Sequence, residues 1–205
     1  MVGGDIKPDL ILASASAGRA ALLTGAGISF SIEPAHIDEA AIKAKFSSKG
    51  KSDAQALAGY LSEEKARAVS ARHKDAFVIG ADQILSCAGR LFDKPANLAE
   101  ARANLAFLRG RKHTLHSSVS VARAGEIVWR HTAHATLVMR AVTDRFLDEY
   151  LTQAGDKVLS SVGCYQLEGP GVQLFEEIDG DYFTILGLPL LPLLAFLRAE
   201  TMLIS

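Results

Sequence analysis

Cysteine is scarce in this sequence, which contains only Cys87 and Cys164. The two form no C-x-x-C pair and no metal-ligand spacing, so the sequence argues against a disulfide framework and against a structural zinc site. Both are expected to be small buried apolar residues in a reducing cytosol.

Long apolar runs are also missing. Residues 1–9 contain no apolar stretch followed by a small-residue cleavage site, which a secretory signal would need. The apolar stretch 185–197 is too short to span a bilayer, and it contains Pro189 and Pro192. The sequence therefore predicts a cytoplasmic protein with no membrane partner.

Neither sign of charge is in excess, because 22 Lys and Arg face 23 Asp and Glu, for a formal net charge of −1. A nucleic-acid binder usually has a basic surplus, so DNA and RNA are not expected as partners. A few cations gathered at one site can still bind a small anion. No repeat, low-complexity segment or linker divides the chain, and its 205 residues suit one domain or one domain with a second lobe.

Apolar patterning predicts alternating strands and helices. The predicted strands cover residues 10–13, 77–81, 115–121 and 127–139, and the predicted helices cover residues 19–23, 54–73, 98–109, 143–153 and the end of segment 185–199. This mixture indicates an α/β or α+β fold with a mixed sheet.

The loop between the first strand and the first helix carries Ser14, Ser16 and Arg19. A helix N-terminus directly after a strand offers unpaired N–H groups to an anion, and a guanidinium matches phosphate oxygens. From spacing alone, an ordinary helix cap is the simpler explanation of the serines. The loop lacks the sequence G-x-x-x-x-G-K-[ST], so it is not a Walker-type site.

Lys65 and Asp82 stand out because their surroundings are apolar. Lys65 lies on the apolar stripe of the 54–73 helix, where a lysine must snorkel, pair with an acid or face a polar cleft. Asp82 lies at the end of the buried 77–81 strand or just inside its continuation. It is either a turn residue or a residue at the position where open α/β sheets bind ligands.

A small set of acids and cations matches what pyrophosphate hydrolysis requires. The acids are Asp38, Glu39 and Asp82, and the cations are Arg19, Lys65 and Lys94. A divalent cation, Mg²⁺ or Mn²⁺, would neutralise phosphate charge and lower the pKa of water, and a carboxylate would orient or deprotonate the attacking water. Capping of a following helix is the simpler explanation of Asp38 and Glu39.

The six histidines include two H-x-x-H pairs, His113 with His116 and His131 with His134. Residues three apart on a strand point to opposite faces, so a shared metal is not expected and scattered surface histidines are the preferred interpretation. No nucleophile-elbow pattern supports a Ser-His-Asp triad, and the G-x-G pairs at 25–27 and 169–171 do not fit a dinucleotide fingerprint.

Seven short motifs follow one another along nearly the whole chain. They are Leu-Ile-Leu-Ala-Ser-Ala-Ser-x-x-Arg (10–19), Asp-Glu (38–39), Glu-Lys-Ala (64–66), Gly-Ala-Asp-Gln (80–83), Lys-Pro (94–95), Leu-Glu-Gly-x-Gly (167–171) and Gly-Leu-Pro-Leu (187–190). This ordered series resembles Maf-like proteins, a family of nucleoside triphosphate pyrophosphatases once named for inhibition of septum formation.

The resemblance implies one domain, residues 1–205, with two lobes around a mixed twisted sheet as in inosine triphosphatases, and a cleft between the lobes. It implies a hydrolase that splits the α–β phosphate bond of a nucleoside triphosphate with the help of a divalent metal. Asp82 would be the proton acceptor, and Glu39 would join it at the metal. The phosphate-binding residues would be Ser14, Ser16, Arg19, Lys65 and Lys94. Family members are commonly homodimers.

Gly18, Gln83 and Glu168 fall at positions that help to set nucleotide specificity in the family. Members that act on thymidine and uridine triphosphates usually have Thr and Gln in place of Gln83 and Glu168, so this chain resembles the branch that acts on 7-methyl-GTP. A carboxylate accepts both pairing-edge donors of guanine and favours a base made cationic by N7-methylation. The family usually shows Pro and then Arg or Trp where this chain has Ala17 and Gly18.

Three alternatives stay open. In the first, the chain would be a dTTP/UTP pyrophosphatase of the same family. In the second, it would be a non-catalytic nucleotide-binding regulator of cell division. In the third, it would be a general phosphatase that releases orthophosphate. The altered Ala17 and Gly18 pair motivates the regulator.

Overall fold

The computed structural model describes residues 9–48 and 53–204. Within these ranges the chain forms seven strands: β1 (Leu10–Leu12), β2 (Ser31–Ile32), β3 (Phe77–Cys87), β4 (Arg90–Phe92), β5 (Lys112–Arg123), β6 (Glu126–Met139) and β7 (Phe175–Asp179). They make one sheet in the order β2-β1-β3-β5-β6-β7, with β4 as a further partner of β3. The sheet is mixed, because β1 runs parallel to β2 and β3 while the other pairs are antiparallel.

The same ranges contain seven α-helices: α1 (Ala17–Gly25), α2 (Glu39–Ser48), α3 (Ala54–Ser70), α4 (Leu98–Leu108), α5 (Asp144–Ala154), α6 (Tyr182–Ile185) and α7 (Leu190–Ala199). The mixed α/β class predicted from the sequence is confirmed. None of the helices in the described part of the chain has the length and apolar character needed to cross a membrane.

The long strand β3 has a gap along one of its edges. One edge pairs with β5 over residues 78–86. The other edge pairs with β1 over residues 77–79 and with β4 over residues 85–87. Among the described residues, positions 80–84 therefore have no strand partner on this second edge, and the sheet is open there.

Apolar clusters lie on either side of the gap. On one face of the sheet, Phe77 and Ile79 belong to a cluster with α1 and α7. On the same face, Leu85 and Cys87 belong to a second cluster with α4 and α5. Gln83 lies between the two, since alternate residues of a strand share a face.

The opposite face of β3 is covered by α3. Val78 packs there against the C-terminal part of α3 at Val69, and Ile84 packs against its N-terminal part at Leu61. Asp82 lies between these two contacts along the strand. The apolar pattern of β3 is thus interrupted on both faces at the gap.

Three predictions about single elements need correction. The strand predicted over 77–81 extends to Cys87, because β5 pairs with it as far as Ser86. Asp82 therefore lies inside β3, which is one of the two placements that the sequence left open, and it is not a turn residue. The patterning does not predict β7, an exposed strand rich in acids that forms through its pairing with β6. His113 was expected at the surface but is 1% exposed, because it packs against Tyr165 and Phe175.

Gly80 allows α3 to approach β3 closely. A Cβ atom at this position would lie 2.2 Å from the Ser62 carbonyl oxygen and 2.6 Å from the Ala66 backbone nitrogen. Both neighbours are helix backbone and cannot move aside without shifting α3. Lys65 lies between them in the sequence, so the short distance also determines how near Lys65 comes to β3.

We expect Gly80→Ala to lower the free energy of unfolding by about 2 kcal/mol or more, or roughly 5 °C in Tm, because the added methyl group must displace α3. Thermal melting followed by circular dichroism measures this change. Gly25→Ala is the matched control, since a Cβ there meets no atom within 4 Å. Equal melting of the two variants would contradict the packing argument.

Candidate active site

A cleft of about 890 Å³ opens at the gap in the β3 edge. Its lining includes six charged residues, called here the charged half: Arg19, Glu39, Lys43, Lys65, Asp82 and Lys94. Six apolar lining residues belong to the apolar cluster of α4 and α5 and are called the apolar half: Leu115, Val162, Tyr165, Leu167, Ile185 and Leu186. Their sequence neighbours Ser160, Ser161, Gln166 and Glu168 also line the cleft. A volume of this size falls in the range of small-molecule sites.

Lys65 bridges two carboxylates at the base of the charged half. Its Nζ donates a hydrogen bond of 2.6 Å to Asp82 Oδ1 and lies 2.8 Å from Glu39 Oε1. Lys65 and Asp82 are 8% and 7% exposed, respectively, and Glu39 is half-buried. Of the three ways to place a lysine on an apolar helix stripe, the structure thus shows pairing with acids beside a polar cleft.

The electrostatics of the cluster favour ionised Glu39. Burial raises the pKa of Glu39, but the hydrogen bond and charge of Lys65, together with the charges of Lys43 and Lys94, outweigh burial and hold the pKa below its ordinary value. The Lys94 ammonium, at the cleft rim, has a pKa lowered by desolvation and then by repulsion from Arg19 and Lys65. The site thus concentrates positive charge that an anion would offset.

Arg19 on α1 is held by backbone and side-chain oxygens. Its Nε donates to the Gly187 carbonyl at 2.9 Å, and its Nη1 donates to the Ala81 carbonyl at 2.8 Å and to Ser14 Oγ at 3.1 Å. Burial lowers the pKa of the guanidinium, and the charges of Asp82 and Glu39 oppose that shift. Within residues 9–48 and 53–204 these bonds use Nε and Nη1, so the N–H groups of Nη2 can bind a ligand.

The two serines of the first loop have different positions. Ser16 lines the cleft and caps α1, because its side chain accepts a hydrogen bond from the Arg19 backbone N–H at 3.3 Å. Ser14 is buried and does not line the cleft. Its hydroxyl instead accepts from Arg19 and from the Ser16 backbone N–H, so in this structure it holds Arg19 in place.

The predicted specificity residues lie on or near the apolar half. Gln83 and Glu168 both line the cleft, and Gln83 donates from Nε2 to oxygens of β5 and α6. Gly18 also lines the cleft, and a Cβ there would have Ser16 Oγ at 3.8 Å and Leu186 O at 4.0 Å as neighbours. A methyl group at this position would therefore meet only ordinary van der Waals contacts.

Tyr165 forms a rigid part of the apolar half. Its ring packs edge-on against Phe175 with centroids 4.7 Å apart, and its hydroxyl shares a hydrogen bond of 2.9 Å with His113 Nε2. Burial lowers the pKa of His113 to about 4 and raises that of Tyr165. Both side chains are therefore neutral near pH 7, and neither adds a charge to this part of the structure.

Two carboxylates with a lysine between them do not by themselves make a metal cage. In residues 9–48 and 53–204, no group of three or more His, Cys, Asp and Glu side chains is arranged to hold a metal ion. Lys65 contacts Asp82 Oδ1 and Glu39 Oε1, so the second carboxylate oxygens, Oδ2 and Oε2, can serve as ligands for a metal ion. Mg²⁺ is often held by one or two carboxylates together with substrate phosphates, so this donor set fits a cation that a triphosphate helps to bind.

Most of the residues selected from the sequence meet in this cleft. Of the ten named for catalysis, metal, phosphate or specificity, only Ser14 is not in the lining. Asp38, the other acid considered from the sequence, accepts a hydrogen bond of 2.9 Å from the Ala41 N–H. It thus caps α2, which is the simpler explanation that the sequence offered.

Other cleft residues were not predicted from the sequence. Lys43 lines the cleft one helical turn after Glu39 and pairs with Asp93, and its spacing of four residues from Glu39 was an available signal. The apolar residues Leu115 and Tyr165 gave no such signal, because in a sequence they look like any core residues.

Fold and site together define a mixed α/β protein with a cleft suited to a phosphorylated organic anion. The profile of the Maf-like protein family matches residues 9–200. A 7-methyl-GTP pyrophosphatase of Rhizobium meliloti (strain 1021) is 50% identical over 193 residues, which cover 94% of this chain and 96% of that protein. The chain therefore belongs to the Maf-like family.

Relatives with a broader name are equally similar. A nucleoside triphosphate pyrophosphatase of Paramagnetospirillum magneticum (strain ATCC 700264 / AMB-1) is 52% identical over 188 residues, or 92% of this chain and 96% of that protein. A solved dITP/XTP pyrophosphatase of Mycobacterium abscessus aligns over 95% of both chains at 14% identity with a TM-score of 0.40, which is too low to assign the fold.

Removing the ammonium from between the carboxylates tests the charge cluster. We expect Lys65→Met to lower the free energy of unfolding at pH 7.5 by about 3 kcal/mol, because Asp82 is left buried without its partner. The double variant Lys65→Met/Asp82→Asn should recover most of that loss, since the buried charge of Asp82 is gone and the half-buried Glu39 keeps the nearby charges of Lys43 and Lys94. Urea unfolding measures both.

Lys43→Met is the matched control for this experiment, because Lys43 pairs with an exposed acid. Its effect should stay within about 1 kcal/mol, as for other surface ion pairs. A double variant that is no more stable than Lys65→Met would show that the ion pair is not what stabilises this region.

Proposed function

We propose that this protein hydrolyses a nucleoside triphosphate to a nucleoside monophosphate and pyrophosphate. The observation that carries the proposal is a buried carboxylate, Asp82, held by Lys65 in a cleft with one cationic and one apolar half. Such a cleft accommodates the phosphate chain at one end and the base at the other. The pyrophosphatase names of relatives about half identical to this chain support the same activity.

In the proposed reaction, a water oxygen bonds to one of the two phosphorus atoms of the α–β bridge, and the bond from that phosphorus to the bridging oxygen breaks. Asp82, which Lys65 holds in place through Oδ1, accepts the water proton. Arg19, Lys94 and the N-terminus of α1 at Ser16 hold the phosphate oxygens. Lys65 keeps Asp82 and Glu39 together and adds positive charge beside the reacting phosphate.

A divalent cation, Mg²⁺ or Mn²⁺, is proposed as cofactor. Asp82 and Glu39 would hold it together with phosphate oxygens, and it would neutralise charge and make water more acidic. Removal of divalent cations with a chelator should therefore abolish turnover. A homodimer is a further proposal, which comes from the family resemblance, and a cytoplasmic location is another, which comes from the sequence.

Asp82→Asn tests the catalytic assignment. We expect its kcat to fall by roughly 10²–10⁴-fold, because the amide cannot accept the water proton.

Phosphorus NMR of the wild-type products should show pyrophosphate and monophosphate, whereas orthophosphate with nucleoside diphosphate would indicate a general phosphatase. Tight nucleotide binding by calorimetry without any turnover would indicate the regulator.

We further propose a guanine-type base, with 7-methyl-GTP as the leading substrate. Glu168 offers two carboxylate oxygens to pairing-edge donors and favours a cationic base. Gly18 adds no side chain to the cleft lining, so it takes up none of the space in which the nucleotide would bind. The 7-methyl-GTP pyrophosphatase names of several relatives support this choice, although others carry the broader name.

Glu168→Gln tests the base assignment. We expect the kcat/KM ratio of 7-methyl-GTP to UTP to fall about tenfold, because one bidentate base contact is worth about 1–3 kcal/mol. Turnover of each triphosphate is measured by pyrophosphate release. A wild-type enzyme that acts only on pyrimidine triphosphates would refute the assignment and support the dTTP/UTP alternative.

A further inference from the structure

On the basis of the proposed function, we infer that Ser117 is a positioning residue for base specificity. Together with two backbone carbonyls, it fixes the orientation of the Gln83 side-chain amide, so that the cleft presents the carbonyl oxygen of Gln83 and not its NH₂ group. Ser117 has no place in the sequence prediction and does not itself line the cleft. It acts through Gln83, its partner on the neighbouring strand.

The Ser117 hydroxyl must donate its one hydrogen to the Thr184 carbonyl and accept a hydrogen bond from Gln83. Ser117 lies opposite Gln83 in the β3–β5 pairing and is fully buried. Its Oγ donates a hydrogen bond of 2.7 Å to the Thr184 carbonyl. A hydroxyl has a single hydrogen, so toward Gln83, whose Nε2 lies 2.9 Å away, the same oxygen can only accept.

Two backbone carbonyls impose the same orientation on Gln83. Nε2 lies 3.1 Å from the Thr184 oxygen and 3.0 Å from the Ile185 oxygen. An amide rotated by 180° would place Oε1 against three oxygens, two of which carry no hydrogen. The network therefore assigns Nε2 to these acceptors and leaves Oε1 as the remaining hydrogen-bonding atom of a residue that lines the cleft.

The carbonyls themselves are held in place by local structure. Asp181 caps α6 by accepting from the Thr184 backbone N–H at 2.9 Å, and Thr184 is fully buried. Three residues later, the Gly187 carbonyl accepts from Arg19. Gly187 has a φ of +93°, in the region that favours glycine. One short segment thus orients both Gln83 and Arg19.

An acceptor at this position selects among bases. Gln83 Oε1 and the Glu168 carboxylate are both acceptors, so together they favour a base edge that presents N–H donors, as guanine does. Adenine presents a ring nitrogen acceptor where guanine presents N–H, and it would face an oxygen there. Because an adenine ring nitrogen and Gln83 Oε1 are both acceptors, their approach is unfavourable, and adenine is disfavoured relative to guanine.

The test is the ratio of GTP to ATP in kcat/KM and in calorimetric affinity, for the wild type and Ser117→Ala. We expect the ratio to fall in Ser117→Ala, with most of the loss on GTP, because one of the three acceptors that hold the amide is lost and Oε1 is fixed less firmly. The two carbonyls remain, so the fall should be smaller than the roughly tenfold effect of a whole base contact. Ser117→Thr keeps the hydroxyl and should restore the ratio. Ser120→Ala, a buried serine on the other face of β5, is the matched control and should leave the ratio unchanged.

A double-variant cycle separates positioning from general damage. In a Gln83→Leu background, Ser117→Ala should have no further effect on the ratio, because the group that it orients is gone. Equal loss on GTP and ATP in Ser117→Ala, or an undiminished ratio, would overturn the inference, as would a wild type without preference for GTP. If no triphosphate is turned over, the proposed hydrolysis fails, and the affinity ratios still test Ser117.

Discussion

The ammonium of Lys65 lies between the carboxylates of Asp82 and Glu39, and through them it joins α3, β3 and α2 at one point. A charge this deeply buried is costly unless it is paired and hydrogen-bonded. The three groups therefore require one another, and each depends on the short distance between α3 and β3 that Gly80 permits. Displacement of that helix would separate charges that are stable only together.

The gap in the β3 edge explains why polar groups are tolerated at the centre of the sheet. Asp82 and Gln83 point to opposite faces of β3. Both reach the cleft because neither β1 nor β4 covers this part of the strand. The same opening lets Arg19 bond to the Ala81 carbonyl. The cleft is thus a property of strand lengths as much as of side chains.

Several parts of this site could be predicted from the sequence. Lys65 breaks the apolar stripe of its helix, Asp82 interrupts a buried strand, and Arg19 follows a strand at a helix N-terminus. A charged residue within an apolar pattern is conspicuous because burying its charge is unfavourable unless it has a partner or borders a polar site. Ser117, Tyr165 and Leu115 carry no comparable signal, since small and apolar residues in a strand are ordinary in any core. Their roles depend on neighbours more than 30 positions away, such as Gln83 and Thr184.

The sequence by itself determined the α/β class, the order of most elements and the family, because local periodicity and short motifs involve residues that are close together in the chain. Only the tertiary structure decided that β3 runs through Asp82, that Ser14 holds Arg19, and that Gln83 turns its NH₂ group toward α6. The physical reason is that hydrogen bonds and ion pairs between distant segments depend on distances of a few tenths of an ångström. Those distances follow from how helices pack on the sheet, and local patterning does not encode them.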